Sequence, residues 1–199
     1  MYRGFLKRFF DLVCAGLLLI VTAPVFLIVT IAIKLDSRGP VVFSQRRLGK
    51  NGKEFNMYKF RSMVVDAEKG GVYSDNRDPR VTRVGKFLRK TSLDELPQCI
   101  NILRGDMSFI GFRPPLTYHP WPFEEYTPEQ KKMFAVRPGI TGWAQVNGRR
   151  TVQWPKRIEM NVWYAERVSF LLDMKILFMT VFKVLRGVDN ENIGASVGQ

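Results

Sequence analysis

The chain has 199 residues, enough for one domain with a substantial core, and this length excludes a long multidomain architecture. Lys and Arg number 31 against 18 Asp and Glu, and the net charge of +13 predicts a polyanionic partner: nucleic acid, an anionic membrane face or a phosphorylated substrate. Apolar residues make up 46%, which excludes a disordered basic tail. Two cysteines and one histidine argue against a disulfide framework and the usual zinc sites, so any catalytic metal is expected to bind oxygen ligands.

Residues 12–33 contain no charged side chain, and as a helix they would reach roughly 33 Å, enough to cross a bilayer. Pro24 lies at the centre of this run and predicts a kink or a break. A cleaved signal peptide is disfavoured because the run exceeds the usual length of its apolar region. Basic residues flank both ends of the run: Arg3, Lys7 and Arg8 before it, then Lys34, Arg38, Arg46, Arg47 and Lys50.

The positive-inside rule places both of these basic flanks in the cytoplasm. A helix that is broken at Pro24 and enters and leaves the membrane by the same face satisfies both observations. The Thr22 hydroxyl is then a candidate partner for backbone groups freed at the break. A kinked single span remains the alternative, because proline is common in membrane helices.

The next segment predicts a β-hairpin, with strands at residues 41–43 and 55–63 around a turn at 49–52. Residues 64–67 favour the start of a helix, and 70–80 a polar loop. The apolar spacing over residues 86–104, which Pro97 interrupts, predicts two helices that meet near Ser92.

The last part of the chain predicts further helices. Residues 111–122 contain four prolines and predict irregular structure, whereas Thr127 followed by Pro128 predicts a capped short helix to residue 134. Residues 137–148 predict a loop with at most one strand. Residues 154–185 are helical in pattern, and their apolar second half suits either a core helix or one in the membrane interface. The expected fold class is therefore α+β and rich in helix.

The adjacent acids Asp94 and Glu95, in the sequence TSLDELPQ, form the most informative group. Ser92 and Glu95 match a capping box, and alternatively Asp94 is itself the cap, so a structural role explains them. Either arrangement places two carboxylates at a helix N-terminus, a suitable place for a carboxylate nucleophile and for a bound phosphate.

A carboxylate that attacks a phosphate needs cations or magnesium to neutralise the phosphoryl oxygens. Lys59, Arg61, Arg89 and Arg113 supply such groups if folding brings them together, whereas each one alone is more simply explained as a solvated surface charge. A turn-rich segment adds further candidates for phosphate or base binding, with Trp143 either stacked on a base or buried in the core. These further candidates are Arg137, Gln145 and Arg149.

Four stretches in order, KFRSM, DPRVTRVGKFLRKTSLDELPQ, NILRGDMSFIG and VRPGITGWAQVNGR, follow the proline-interrupted apolar N-terminus. With them the chain closely resembles the monotopic phosphoglycosyl transferases, which are bacterial sugar transferases, in a minimal catalytic form. Two positions depart from the family pattern: Ala23 precedes Pro24 where serine is frequent, and Phe112 stands where relatives usually carry proline.

The resemblance implies transfer of a sugar 1-phosphate from a UDP-sugar to undecaprenyl phosphate, with release of UMP. It implies that Asp94 is the nucleophile of a covalent phosphosugar intermediate and that Glu95 assists it in binding Mg²⁺ or in handling protons. Lys59, Arg89 and Arg113 would hold phosphates. The family's broken membrane helix is re-entrant, with interfacial helices beside it.

The resulting division is a membrane-embedded re-entrant helix at residues 1–38, a cytoplasmic catalytic domain at 39–187 and a tail at 188–199. The expected location is the cytoplasmic face of the bacterial inner membrane, with membrane lipids and both substrates as partners and no nucleic acid. The sugar and the oligomeric state, a homodimer included, stay open. The alternatives are a membrane-tethered nucleic-acid-binding module and a noncatalytic interfacial scaffold.

Overall fold

The apolar N-terminal segment forms one long helix. In a computed structural model, which describes residues 2–71, 78–148 and 152–186, a π-type turn at Tyr2–Leu6 leads into α1 (Lys7–Asp36). The helix continues through Pro24 without the predicted break, although proline lacks the N–H that would reach the Ile20 carbonyl. The Thr22 hydroxyl donates to the Leu18 carbonyl at 2.6 Å, so it does not replace that lost bond.

One stripe of α1 is buried along the whole length of the helix. Asp11, Ala15, Val29 and Ile33 are buried at helical spacing. Only 11% of the most apolar window is buried, and this is the one helix within the described ranges that has the length and hydropathy to cross a membrane. Large apolar side chains cover the opposite face: Leu12, Val13, Leu17, Ile20, Val21, Leu27, Ile28 and Ile31.

The predicted hairpin is confirmed. Strands β1 (Val42–Leu48) and β2 (Glu54–Phe60) pair antiparallel, with Val42 opposite Phe60, around a 3-10 turn at Lys50–Gly52. The first strand is longer than predicted, and the second ends three residues earlier. The short helix predicted at 64–67 is instead a 3-10 turn at Ala67–Gly70.

Two short helices follow the hairpin and meet near Ser92, as predicted. Helix α2 (Arg83–Thr91) is capped by the Thr82 hydroxyl, which accepts from the Gly85 N–H. Helix α3 (Gln98–Arg104) begins after Pro97. The residues between them form a 3-10 turn at Leu93–Glu95.

The remaining elements form the largest hydrophobic core. The parallel strands β3 (Ser108–Ile110) and β4 (Gly139–Thr141) pack with helices that follow in the chain. Thr127 caps its helix, as predicted, and does so in a full capping box, but the α-helix ends at Lys131 and a 3-10 turn follows at Lys132–Ala135. One helix appears where the sequence predicted a loop. The helices are α4 (Pro128–Lys131), α5 (Trp143–Gly148, the one not predicted), α6 (Trp154–Glu166) and α7 (Phe170–Arg186).

Helix α1 packs against the rest of the fold through two smaller hydrophobic clusters. Ala15 packs with Met57 and Ile102 in one cluster, and Ile33 packs with Phe60 and Leu88 in another. The segment that resembles a membrane helix is therefore attached along its length to the hairpin and to helices α2 and α3.

Candidate active site

The acidic pair lies on the 3-10 turn between α2 and α3, and neither predicted capping arrangement is present. Ser92 ends α2 in a left-handed conformation with φ of 58°, and its side chain caps no N–H. Asp94 is not the cap of α3, because Pro97 precedes the first residue of that helix. Both carboxylates are thus left for contacts with other parts of the chain.

Among the described residues, Glu95 binds two cations that come from distant segments. The Lys59 ammonium on β2 lies 2.9 Å from Oε1 of Glu95, and an Arg113 guanidinium nitrogen lies 3.4 Å from the same oxygen. The side chains of Lys59 and Glu95 are 16% and 13% exposed, whereas that of Arg113 is 42% exposed. The cluster of Lys59, Glu95 and Arg113 is therefore shielded from solvent on the side of the hairpin and accessible to solvent on the side of the loop that carries Arg113.

A buried amide holds the hairpin in place for this contact. Asn101 on α3 is completely buried; its carbonyl oxygen accepts from the Tyr58 N–H, and its amide donates to the Asn56 carbonyl and to Asp106. These bonds fix β2 against α3, and Lys59 follows Tyr58 directly. These hydrogen bonds between the Asn101 side chain and the backbone of β2 therefore determine the position of Lys59 beside Glu95.

Arg89, in the last turn of α2, approaches the acids from another side. Its Nε donates to the Ser62 hydroxyl at 2.9 Å. Gly85 on the same helix lies so close to the Ser62 backbone that a side chain at this position would collide with it. This close approach brings α2, and Arg89 with it, to the end of the hairpin.

Asp94 is buried, yet within the described ranges no group donates a hydrogen bond to its carboxylate. Among the described residues, its charged neighbours are Lys59, Glu95, Arg89 and Arg113. Three cations against two carboxylates leave this group with a positive excess when all five are ionised. Such a site attracts a diphosphate and keeps one carboxylate unoccupied.

Burial has opposite effects on the two central groups. Burial raises the pKa of Asp94 above its usual range; the nearby Lys59 ammonium opposes this rise, and the Glu95 carboxylate adds to it. Burial lowers the pKa of Lys59, an effect that Glu95 and Asp94 partly offset. The pH range in which Asp94 is ionised and Lys59 protonated is therefore narrower than for the same groups in water.

Phe112, which departs from the family pattern, leaves Arg113 in reach of Glu95. Its ring is completely buried and stacks edge to face on Phe134 at 5.1 Å between centroids. Its carbonyl accepts from the Gly139 N–H at 2.8 Å, which ties the loop to β4. Packing and this backbone bond replace a proline as the constraint on the loop.

Other predicted binding residues lie in contacts outside this cluster. The buried Arg61 guanidinium donates to the Ser37 and Arg38 carbonyls at 2.7 and 2.9 Å and so fixes the end of α1. The buried Gln145 amide donates to the Ile140 carbonyl at 2.8 Å. Arg137 donates to the Gly105 carbonyl and lines a separate cavity, and Arg149 lies outside the described residues.

Sequence reasoning missed Asn101, Ser62 and Gln98. The first two position Lys59 and Arg89. Gln98, one turn after Asp94, is buried, and its Nε2 has no hydrogen-bond partner among the described residues. A polar amide between Ile100 and Ile102 was a signal for Asn101, but its partners on β2 are more than 40 positions away in the chain.

The carboxylates of Asp94 and Glu95 suit Mg²⁺ only if a bound substrate supplies further oxygen ligands. Within residues 2–71, 78–148 and 152–186, no three His, Cys, Asp or Glu side chains come together as a metal-binding group. Mg²⁺ is commonly held by one or two carboxylates and by substrate phosphates, and Asp94 with Glu95 supplies this minimal set. The residues present therefore fit the ion as a partner of a bound diphosphate.

Comparison with known proteins decides the family. Residues 2–187 match the family described as "Bacterial sugar transferase". The chain belongs to this family. It is a transferase, which confirms the resemblance drawn from its motifs and the enzyme class implied by them.

Three relatives show how far the similarity extends. A Bacillus subtilis (strain 168) protein described as "Uncharacterized sugar transferase EpsL" is 45% identical over 94% of this chain and 92% of its own length. The UDP-glucose:undecaprenyl-phosphate glucose-1-phosphate transferase of Escherichia coli (strain K12) is 45% identical over 89% of this chain. The undecaprenyl-phosphate galactose phosphotransferase of Salmonella typhimurium (strain LT2) is 38% identical over 92% of it.

The match covers only part of the last two relatives, 40% and 41% of their lengths. The similarity thus concerns a region that these longer enzymes share with the present chain. None of these three names supports the alternative of a nucleic-acid-binding module.

Proposed function

We propose that this protein transfers a sugar 1-phosphate from a UDP-sugar to undecaprenyl phosphate through a covalent intermediate on Asp94. The observation that carries the proposal is the Asp94 carboxylate itself, which is buried among three cations and makes no hydrogen bond within the described part of the chain. The names of the E. coli and Salmonella relatives supply the substrate class.

In the first step an Asp94 oxygen bonds to the sugar-linked phosphorus of the UDP-sugar. The bond between that phosphorus and the bridging oxygen of the diphosphate breaks, and UMP leaves with the electron pair. Lys59, Arg89 and Arg113 neutralise the phosphate oxygens, which lowers the repulsion between the two anions. Asp94 must be ionised for this step.

In the second step a phosphate oxygen of undecaprenyl phosphate bonds to the same phosphorus. The acyl phosphate bond breaks, and the Asp94 carboxylate is regenerated as the lipid diphosphate sugar forms. Asp94 and Glu95 would hold Mg²⁺, which when bound would supply further neutralisation of the phosphate charge. Glu95 also keeps Lys59 and Arg113 beside the nucleophile.

We place the domain on the cytoplasmic face of the membrane, with both ends of α1 on that face. Near one end Asp11 accepts from Ser108, and at the other end Asp36 accepts from the Val84 N–H. These two points lie about 38 Å apart at helical rise. An upright spanning helix cannot keep both points against a domain on one side of the bilayer, so these contacts favour a monotopic arrangement.

Exposed apolar side chains on α7 extend the surface that would face lipid. Phe10 of α1 contacts Phe170 at the start of α7, with ring centroids 6.1 Å apart. The exposed apolar residues among the described part of α7 are Phe170, Leu171, Leu177, Phe178, Val181, Phe182 and Val184. This continuous surface supports α7 as an interfacial helix.

The proposal is tested by incubating the full chain with a panel of UDP-sugars, first without lipid and then with undecaprenyl phosphate. We expect about one equivalent of UMP per protein without lipid, continuous turnover with it, and loss of both on removal of divalent cations. UMP release that strictly requires the lipid acceptor would contradict the two-step scheme.

A further inference from the structure

A second charged site lies at the N-terminal end of α1. It is a cavity of about 350 Å³, and Asp11 is the one carboxylate among the described residues that line it. Neither Asp94 nor Glu95 lines this cavity. Its basic residues come from three separate parts of the chain: Arg3, Lys7 and Arg8, then Lys50 of the hairpin turn, and Arg137 before β4.

The carboxylates of this region are already engaged. Asp11 accepts from the Ser108 hydroxyl at 3.0 Å and from the Phe109 N–H at 3.1 Å. Lys7 forms an ion pair with the buried Asp173. Within the described part of the chain, Lys7 is the one of the five basic residues that a direct ion pair neutralises, so the cavity keeps an excess of positive charge.

Two of the three guanidinium groups of the cavity, those of Arg8 and Arg137, are held by uncharged partners and repel each other. Arg137 donates to the Gly105 carbonyl at 2.9 Å, and Arg8 donates to the Leu103 and Met107 carbonyls at 3.3 and 3.4 Å. Each remains within electrostatic reach of the other. An anion with several acceptor oxygens would relieve this repulsion and accept from both groups.

This cavity is distant from the acidic pair. Asp11 lines it, whereas Ile33, at the other end of α1, packs with Phe60 and Leu88 beside the segment that carries Asp94. The rise of the helix separates Asp11 from Ile33 by about 33 Å. The two positively charged sites are therefore separate.

The surroundings of the cavity indicate which anion it takes. Arg8 is followed directly by Phe9 and Phe10, which are 50% and 45% exposed and begin the apolar surface of α1 and α7. A soluble phosphate needs no such apolar margin, whereas a phospholipid presents its phosphate next to its acyl chains.

We propose that this cavity binds the phosphate of an anionic phospholipid headgroup and thereby fixes the N-terminal end of α1 at the membrane surface. The inference rests on the membrane placement proposed above and not on the chemistry at Asp94. Arg8 and Arg137 donate to the phosphate oxygens, and the exposed Arg3 and Lys50 close the site from solvent.

The test measures lipid binding to the full chain in detergent by native mass spectrometry, with phosphatidylglycerol, phosphatidylcholine and inorganic phosphate as probes. The Arg3→Gln/Lys50→Gln double variant removes two exposed cations of the cavity. Each basic side chain near an anionic lipid contributes about fivefold in affinity, so we expect about thirtyfold weaker phosphatidylglycerol binding. The matched control, Lys53→Gln/Lys156→Gln, removes the same charge from exposed lysines outside the cavity and should bind as the unmodified chain does.

Restored binding in Arg3→Lys/Lys50→Arg would support the charge requirement. Equal loss in the control, equal binding of phosphatidylcholine, or inorganic phosphate bound as tightly as the lipid would each overturn the proposal. UMP release from a UDP-sugar is measured on the same samples. We expect it to persist in the double variant, which separates a failure of this inference from a failure of the proposed transfer reaction.

Discussion

Two buried aspartates of this protein have opposite surroundings. Asp173 on α7 is 1% exposed and accepts from the Tyr2 hydroxyl, the Tyr164 hydroxyl and the Lys7 ammonium. Asp94 is 9% exposed and has cations near it, but within the described residues it accepts no hydrogen bond. One carboxylate has its acceptor oxygens in use, and the other has them available.

The difference separates a structural ion from a reactive one. The hydrogen bonds of Asp173 join the N-terminal turn, α6 and α7. Burial of Tyr164 and the neighbouring Asp173 carboxylate both raise the pKa of Tyr164, so its hydroxyl keeps its proton and donates it to Asp173. A buried carboxylate that is not fully hydrogen-bonded is costly to a folded protein. At Asp94 this cost is consistent with a role in chemistry rather than in folding.

The largest expected effect is on the reaction. Asp94→Asn should lower the rate of UMP release from UDP-sugar by about a thousandfold or more, because the amide is not a nucleophile. Stopped assays of UMP measure this rate. Glu54→Gln, an exposed change on the hairpin, is the control and should keep the original rate. If Asp94→Asn releases UMP at a rate near that of Glu54→Gln, Asp94 is not the nucleophile, and the two buried aspartates do not differ in function as proposed.

The reciprocal change should affect folding instead. Asp173→Asn leaves Lys7 without its ion-pair partner in a mostly buried position, and the free energy of unfolding should fall by about 3 kcal/mol. Denaturant unfolding in detergent measures this loss. Tyr164→Phe removes one hydrogen bond to the same carboxylate and should cost about 1 kcal/mol. UMP release per folded molecule should stay within about threefold of the original in both variants; a larger loss would connect this cluster to catalysis.

The pH profile of UMP release should show both shifted groups. Its acidic limb should lie above the usual Asp range, because burial raises the pKa of Asp94, and its basic limb below the usual Lys range, because burial lowers the pKa of Lys59. Lys59→Arg should move only the basic limb upward, since guanidinium keeps its proton. An unchanged basic limb in this variant would assign that limb to another group.

The smallest effect is on stability as a function of pH. A raised pKa means that folded Asp94 holds its proton more tightly than the unfolded chain does. Folded stability therefore declines as the pH rises from the unfolded value to the folded one, and the loss persists above it. Asp94→Asn should accordingly unfold at a higher temperature than the original at pH 8, with the difference vanishing near pH 3. Thermal scans at both pH values measure it; a lower unfolding temperature at pH 8 would mean that the Asp94 charge stabilises the fold.

Local signals in the sequence predicted local structure. The Thr127 cap, the hairpin turn and the junction at Ser92 depend on neighbouring residues, and all three are present. The capping role of Glu95 was wrong because its carboxylate binds Lys59, 36 positions away. No sequence pattern close to Glu95 indicates that Lys59 competes with the capping interaction for its carboxylate.

The same limit applies to the basic candidates. Arg61 and Lys59 stand two positions apart in one motif, yet Arg61 binds the backbone at the end of α1 and Lys59 binds Glu95. Strand alternation would place residues two positions apart on the same face, but β2 ends at Phe60 and Arg61 lies beyond it, so this rule does not apply to the pair. The sequence predicted the acidic pair and the cations Lys59, Arg89 and Arg113 near it, and the hydrogen bonds between Asn101 and β2 became visible only in the fold.

The most direct test of the central claim is to locate the covalent intermediate. The full chain is incubated with a UDP-sugar in the absence of lipid, digested with trypsin and analysed by tandem mass spectrometry of the peptide that spans residues 91–104. The account predicts a phosphosugar on Asp94 that disappears when undecaprenyl phosphate is added. An adduct on another residue, or lipid-linked product formed at full rate with no adduct on Asp94, would contradict it.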